Sequence, residues 1–223
     1  AYLQDQKEFL FCGQNNLVAF TAHIPNCIKL GDLHCEVFDP YQWNVALDIV
    51  SSLQPCFVAV DDILHFSTRS HHNRNNTLHL YATKGESVQG DLEQVIGQLN
   101  QLGERTLNVY VTESNHNSAL DNWISDKSVS IGNDSHNAKI YHLINWLVMD
   151  SIDSPDTETA LVLETALKNA ELTQLPALAQ NIEFGRMDVK KVGFTHDFSQ
   201  HGHKGQNGSM GSPNQFKRWN LPL

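Results

Sequence analysis

The segment Cys56-Phe57-Val58-Ala59-Val60 is apolar throughout and runs straight into two aspartates, Asp61 and Asp62. An unbroken apolar run of this length, preceded by Pro55, fits a strand covered on both faces. Such strands occur in parallel sheets flanked by helices. Leu107 to Val111 reads as a second strand of the same kind. Between them, Leu92 to Leu102 carries Val95, Ile96, Leu99 and Leu102 at helical spacing, with Gly103 placed to cap its end. Trp43 to Leu53 shows the same period at Val45, Ala46, Ile49, Val50 and Leu53. Further helices are expected over Lys139 to Met149 and Thr157 to Leu172, the latter entered through Ser154-Pro155-Asp156. Short strands are expected at Leu17 to Phe20, Cys27 to Leu30, Ile182 to Phe184 and Val189 to Phe194. Phe66 to Thr77 reads as a polar loop, and Gly202 to Gly211 as a glycine-rich one. The alternation predicts an α/β sandwich, a β-sheet covered by helices on both faces.

Composition narrows the class. With 223 residues, 40% of them hydrophobic, the chain has material for one sizeable core, and we expect one domain over 1–223. No apolar run reaches the roughly 18 residues of a membrane span. The longest candidate, around Leu143 to Met149, is interrupted by Asn145, so a soluble protein is expected. The chain begins at Ala1 and ends at Leu223, and both ends read as cuts within a longer protein. The four cysteines, Cys12, Cys27, Cys35 and Cys56, lack C-x-x-C spacing and read as reduced thiols in a cytoplasm-like compartment. A net charge of −10 argues against broad attraction to nucleic acid, unless bound cations offset the carboxylates. Twelve histidines make their positions worth following, since imidazole is the commonest transition-metal ligand.

In an open α/β sheet, ligands bind beyond the carboxyl ends of the strands. Asp32 and His34 follow Cys27–Leu30, Asp61 and Asp62 follow Cys56–Val60, and Asn115 and His116 follow Leu107–Val111. His196, Asp197 and His201 follow Val189–Phe194. Four strand ends thus deliver carboxylate, amide or imidazole groups to one rim. Donors of this mix suit Mn, Fe or Zn, and two such cations need a bridging carboxylate. His71 and His72, after Arg69 in the polar loop, read either as contacts to a substrate phosphate or as an ordinary solvated turn. Trp43, Trp123, Trp146 and Trp219 read as packing residues. The absence of a G-x-S-x-G elbow and of a Cys/His dyad disfavours covalent hydrolysis.

The order Asp32-x-His34, Asp62, Asn115-His116, His201 resembles the calcineurin-like metallophosphoesterase superfamily. Its pattern is D-x-H, G-D-x-x-D, G-N-H-D/E, a strand-end histidine and G-H-x-H. The segments Ser70-His71-His72-Asn73, Ser114 to Trp123 and His201 to Gly208 look like the phage pre-early first-step-transfer DNase branch. That branch is similar to SbcD-type repair nucleases. The resemblance implies a Mn-dependent DNase whose two divalent metal ions activate water for phosphodiester cleavage. It assigns Asp32 and His34 to one metal, Asp62 to the bridge, and Asn115 and His201 to the other metal. His116 is the implied catalytic residue, which protonates or polarises the leaving oxygen. DNA is the implied partner and the host cytoplasm the implied location. No membrane partner is expected, and a homo-oligomer and further domains of the same chain stay open.

Departures from the pattern matter. Asp61 stands where the family has glycine and competes for the bridging role, although Ile63-Leu64 favours Asp62. His65 replaces the second aspartate of G-D-x-x-D, and His203 competes with His201. No G-H-x-H occurs. Two other readings therefore stay in play, a metallophosphatase acting on nucleotides or phosphoproteins and a degenerate, non-catalytic binding module.

Overall fold

The structure, a computed structural model, describes residues 9–11, 17–21, 25–69, 77–83, 85–112, 114, 116–125, 134–152, 162–185, 191–192 and 196–197. A six-stranded sheet runs in the order β1-β2-β3-β4-β5-β6. Its strands are β1 (Phe9–Phe11), β2 (Leu17–Thr21), β3 (Pro25–Leu30), β4 (Phe57–Val60), β5 (Val109–Thr112) and β6 (Ile182–Gly185). β1 and β2 are antiparallel to their neighbours, whereas β3, β4, β5 and β6 are parallel. The α/β class read from the sequence is the class observed.

Sequential parallel strands need long crossovers, and helices supply them. α1 (Pro40–Leu53) joins β3 to β4, and α2 (Thr77–Ala82) and α3 (Val88–Gly103) lie between β4 and β5. α1 begins three residues before the predicted Trp43, because Asp39 accepts hydrogen bonds from the Tyr41 and Gln42 N–H groups and Pro40 opens the first turn. α3 likewise starts at Val88 rather than Leu92, with Ser87 capping the Gly90 N–H at 3.1 Å. Gly103 is the last helical residue and Glu104 follows in right-handed geometry, so the predicted glycine cap is not formed. β5 begins at Val109, two residues late, and Leu107 is exposed.

Strand alternation sorts the sheet's side chains. Ile28, Leu30, Val58, Val60, Val109 and Val111 join the main core with residues of α1, α3, α4 (Ala119–Ser125), α5 (Ala138–Ile152) and α6 (Val162–Lys168). Cys27, Ala59 and Phe57, on the alternate pleat, form a second and much smaller cluster. α4 was not anticipated. The predicted Thr157–Leu172 helix is seen as α6 and α7 (Ala170–Thr173), separated by Asn169, with residues 153–161 outside the described set. β7 (Lys191–Val192) and β8 (His196–Asp197) pair with each other in a separate two-stranded ladder. Of the predicted strand Val189 to Phe194, Lys191 and Val192 are described, and they pair with β8 in this ladder. Trp43 and Trp123 are buried as expected, but Trp146 is 55% exposed. Gly185 is required by packing, since a Cβ there would collide with the Tyr110 ring on the neighbouring strand.

A buried polar knot holds the helices behind the rim. Arg69 ends a single 3-10 turn, Ser67–Arg69, and pairs with Asp134 at 3.3 Å, with both side chains sealed from solvent. Tyr141 Oη donates to Asp134 at 2.8 Å and Asn137 Nδ2 donates to both its oxygens at 3.1 Å. Asn137 also accepts from the Val88 N–H at 2.9 Å, and Arg69 lies 5.2 Å from the centre of the Trp123 ring. The knot joins the 3-10 turn and the starts of α3 and α5 to α4. Every partner of the carboxylate is thus supplied, as a buried charge requires.

Asp91 is a buried carboxylate with a different balance. Burial first, then the charges of Glu36 and Glu86, push it up to about 7, outweighing the help a helix N-terminus gives an anion. The folded value lies above the unfolded one, so the folded chain holds the proton more tightly. Stability from this group is complete below about pH 4 and is lost as pH rises through about 7. We expect Asp91→Asn to be more stable than the parent by about 2 kcal/mol at pH 8, with the gap closing toward pH 4. Urea unfolding of both proteins across that range checks it, and parallel pH curves would refute it.

Candidate metal centre

The carboxyl ends of β3, β4 and β5 lie side by side, and each strand leaves the sheet into a loop bearing imidazole or carboxylate. Asp32 and His34 follow β3, Asp62 and His65 follow β4, and His116 follows β5. The ligand atoms of Asp32, His34 and Asp62 lie within 4.8 Å of one another, as do those of His34, His65 and His116. His34 belongs to both groups, so the five residues form one continuous cluster. Its ring centroid lies 4.4 Å from that of His116 and 5.0 Å from that of His65. Asp62 is buried, the three histidines are half-buried and Asp32 is exposed, which leaves the cluster open on one side.

Local geometry explains why these side chains converge. Asp32, His34 and Asp62 have φ of 52°, 45° and 45°, in the left-handed region that non-glycine residues rarely occupy. The turn after β5 is tied to the loop after β4 through Asn117. Its Oδ1 accepts from the Leu64 N–H at 3.3 Å and its Nδ2 donates to the Thr112 carbonyl at 3.0 Å. Thr112 in turn donates to the Val60 carbonyl at 3.2 Å. His116 is therefore carried on a braced turn.

The donor set fits divalent transition metals. His34 Nδ1 and His65 Nδ1 face each other at 3.2 Å. Two ligands of one ion, each at about 2.1 Å and at right angles, stand about 3.0 Å apart. Cys35 is fully buried beside the cluster, and burial holds its thiol far above the ordinary value, so it is an apolar wall and not a thiolate ligand. The described cysteines, Cys27, Cys35 and Cys56, are free thiols.

Of the residues singled out from the sequence, Asp32, His34, Asp62 and His116 are brought together. Asn115, His201, His203, His71 and His72 lie outside the described residues. His196 and Asp197 sit in β8, on the separate ladder. The carboxylate in the cluster is that of Asp62. That of Asp61 pairs with Lys29 Nζ at 3.0 Å and accepts the Asp32 N–H at 3.0 Å. His65 was missed as a contributor, although its spacing three residues after Asp62 was visible. Its replacement of a carboxylate read as a loss, whereas imidazole is itself a donor. Glu36 was also missed. It accepts the His65 and Phe66 N–H groups at 2.8 and 3.1 Å, and burial raises its carboxyl above the usual range while those two bonds lower it.

No described helix is long and apolar enough to cross a membrane. No family model matches the chain, and no solved structure matches it. The chain is 30% identical over 207 residues to Protein A1 of Escherichia phage T5, an alignment that covers 89% of this chain and 36% of that protein. The chain thus spans about a third of the length of this phage relative.

Proposed function

We propose that the chain carries the catalytic centre of a two-metal phosphodiesterase, a Mn-dependent DNase of the calcineurin-like metallophosphoesterase type. The observation that carries the reading is the convergence of Asp32, His34, Asp62, His65 and His116 at the ends of three adjacent parallel strands. Asp32 and His34 would hold one cation, Asp62 would be shared between the two, and Asn115 and His201 would serve the second. Two divalent cations in such a site supply an acidified water and neutralise phosphoryl oxygens. The chain's own work is to hold those ligands and to place His116 over the leaving oxygen, where its ring delivers a proton. His71 and His72 are the proposed contacts to substrate phosphates. Similarity to a phage protein supports a setting in the host cytoplasm, and action on DNA is what the sequence resemblance implies.

The net charge of −10 favours a second reading, a phosphatase acting on nucleotides or phosphoproteins, since a long DNA duplex is repelled more than a small monoester. Release of nucleotides from linear DNA, measured beside turnover of p-nitrophenyl phosphate, separates the two. We expect DNA cleavage with Mn and at least about tenfold less with Mg alone, because imidazole ligands favour transition metals over Mg. Full activity in Mg after rigorous removal of Mn would overturn the metal assignment. Absence of bound metal by elemental analysis would favour the non-catalytic binding module.

A further inference from the structure

The loops after β3 and β4 do not simply diverge from the sheet. They continue side by side as a ladder, with the His34 N–H donating to the Asp62 carbonyl at 2.7 Å and the Cys35 N–H to the Ile63 carbonyl at 3.0 Å. The Leu33 N–H reaches the Asp61 carbonyl at 3.4 Å. Yet this pair of loops holds four of the six non-glycine residues with positive φ among the described ones: Asp32, His34, Asp62 and Phe66. The other two, Gln54 and Gln174, follow helix ends, where such geometry is common. Left-handed backbone at side-chain-bearing residues is unfavourable and persists only where surrounding contacts enforce it.

Two carboxylates supply that enforcement, and they do so reciprocally. Asp61, on the second loop, reaches across to the first and accepts the Asp32 N–H on Oδ1 at 3.0 Å. Glu36, on the first loop, reaches across to the second and accepts the His65 N–H on Oε2 at 2.8 Å and the Phe66 N–H on Oε1 at 3.1 Å. Each amide caught in this way belongs to a cluster residue or to its immediate neighbour. Lys29 meets Asp61 Oδ2 at 3.0 Å and balances its charge. Gly31 keeps the approach open, because a Cβ there would stand only 3.3 Å from Asp61 Oδ1. The first loop is further fixed to α3 by Gln98 Nε2, which donates to the Cys35 carbonyl at 2.9 Å.

We infer that Glu36 and Asp61 are positioning residues, a reciprocal carboxylate clasp that locks the two ligand-bearing loops into the backbone shape needed to bind a divalent metal pair. The inference rests on the metal-centre reading above. The clasp acts through hydrogen-bond acceptance, so asparagine at 61 keeps its one caught amide, glutamine at 36 keeps one of its two because its Nε2 cannot accept, and a methyl group keeps none. Groups that orient metal ligands without touching the metal typically govern affinity by 10- to 100-fold.

The test compares Asp61→Ala with Asp61→Asn, and Glu36→Ala with Glu36→Gln. Hydrogen exchange on the metal-free proteins reads the clasp itself, and calorimetric Mn titration reads its consequence. In Asp61→Ala the Asp32 amide should exchange at least about tenfold faster, and in Glu36→Ala the His65 and Phe66 amides should do so, with Val58 and Val109 unchanged. Mn affinity should fall about tenfold or more in each alanine variant, return to within about threefold in Asp61→Asn, and recover only in part in Glu36→Gln, which keeps one of the two bonds. Unchanged exchange and affinity in the alanine variants would overturn the inference. So would equal loss of metal in Asp61→Asn and Asp61→Ala, which would make Asp61 a ligand through its charge. If an alanine variant fails to fold, the amide variants decide: loss of protection at Asp32 in Asp61→Asn, or at both His65 and Phe66 in Glu36→Gln, overturns the clasp. Parent protein with these amides protected but no Mn uptake would leave the clasp standing and sink the metal-centre reading.

Discussion

Asp62→Asn should lower metal content from two ions per chain to one or none and reduce DNA cleavage by at least about 10³-fold, some 4 kcal/mol of barrier. Asparagine keeps the volume of the side chain, so the packing of this 1%-exposed position is preserved and only the charge is lost. A neutral amide oxygen offers one weak donor where a carboxylate offers two oxygens and a full charge, and a bridge between cations needs both. The geometry separates this residue from its neighbour. Asp62 shares the cluster with Asp32 and His34, whereas Asp61 meets Lys29 and the Asp32 N–H. The two variants should accordingly behave differently. Asp61→Asn should retain most of the metal because its amide oxygen still accepts the Asp32 N–H. If Asp62→Asn keeps two ions while Asp61→Asn loses them, Asp61 is the bridge and the assignment is reversed. Elemental analysis of both variants, beside nuclease rates, decides it.

What was legible in the sequence follows from which forces are local. β4 was readable because Val58 to Val60 is buried on both sides, with Phe57 half-buried before it, and burial leaves no polar residue to obscure the pattern. α1 and α3 were readable over their periodic stretches but not at their starts, where Asp39 and Ser87 set the boundary by capping bonds and not by hydrophobic period. α4 was hidden for a related reason. It starts within the turn that carries His116, with the Ala119 N–H bonded to the His116 carbonyl at 3.0 Å, and the polar motif masked its period. Leu120 and Trp123, three residues apart and both buried, were the available signal. At the site, strand-end placement brought out Asp32, His34, Asp62 and His116. Glu36 and Lys29 escaped notice because their work spans loops about 30 residues apart in sequence, and a single chain read in order shows no such pairing.

His116→Ala should separate catalyst from ligand. The residue sits at the end of β5 on a turn braced by Asn117, and its ring lies edge-on to His34 with interplanar angle 84°. That placement lets it reach either a metal held by His34 or the oxygen leaving from a phosphoryl group above it. The two roles make opposite demands on binding. A ligand contributes to metal affinity in the absence of substrate, whereas a proton donor contributes only when the leaving oxygen develops charge. The proposed assignment is proton donor, so calorimetric titration of His116→Ala should still give two Mn per chain at near-parent affinity. General acid help is typically worth 10²- to 10⁴-fold, about 3 to 5 kcal/mol, and the rate on DNA should fall on that scale. A substrate with a better leaving group, such as a p-nitrophenyl phosphodiester, needs less protonation and should lose less. His65→Ala is the informative control, because its Nδ1 already faces His34 Nδ1 at 3.2 Å and its removal should weaken metal binding before it touches proton transfer. Loss of metal in His116→Ala would make the residue a ligand. Equal losses on the activated and the natural substrate would show that it orients the phosphate without donating a proton.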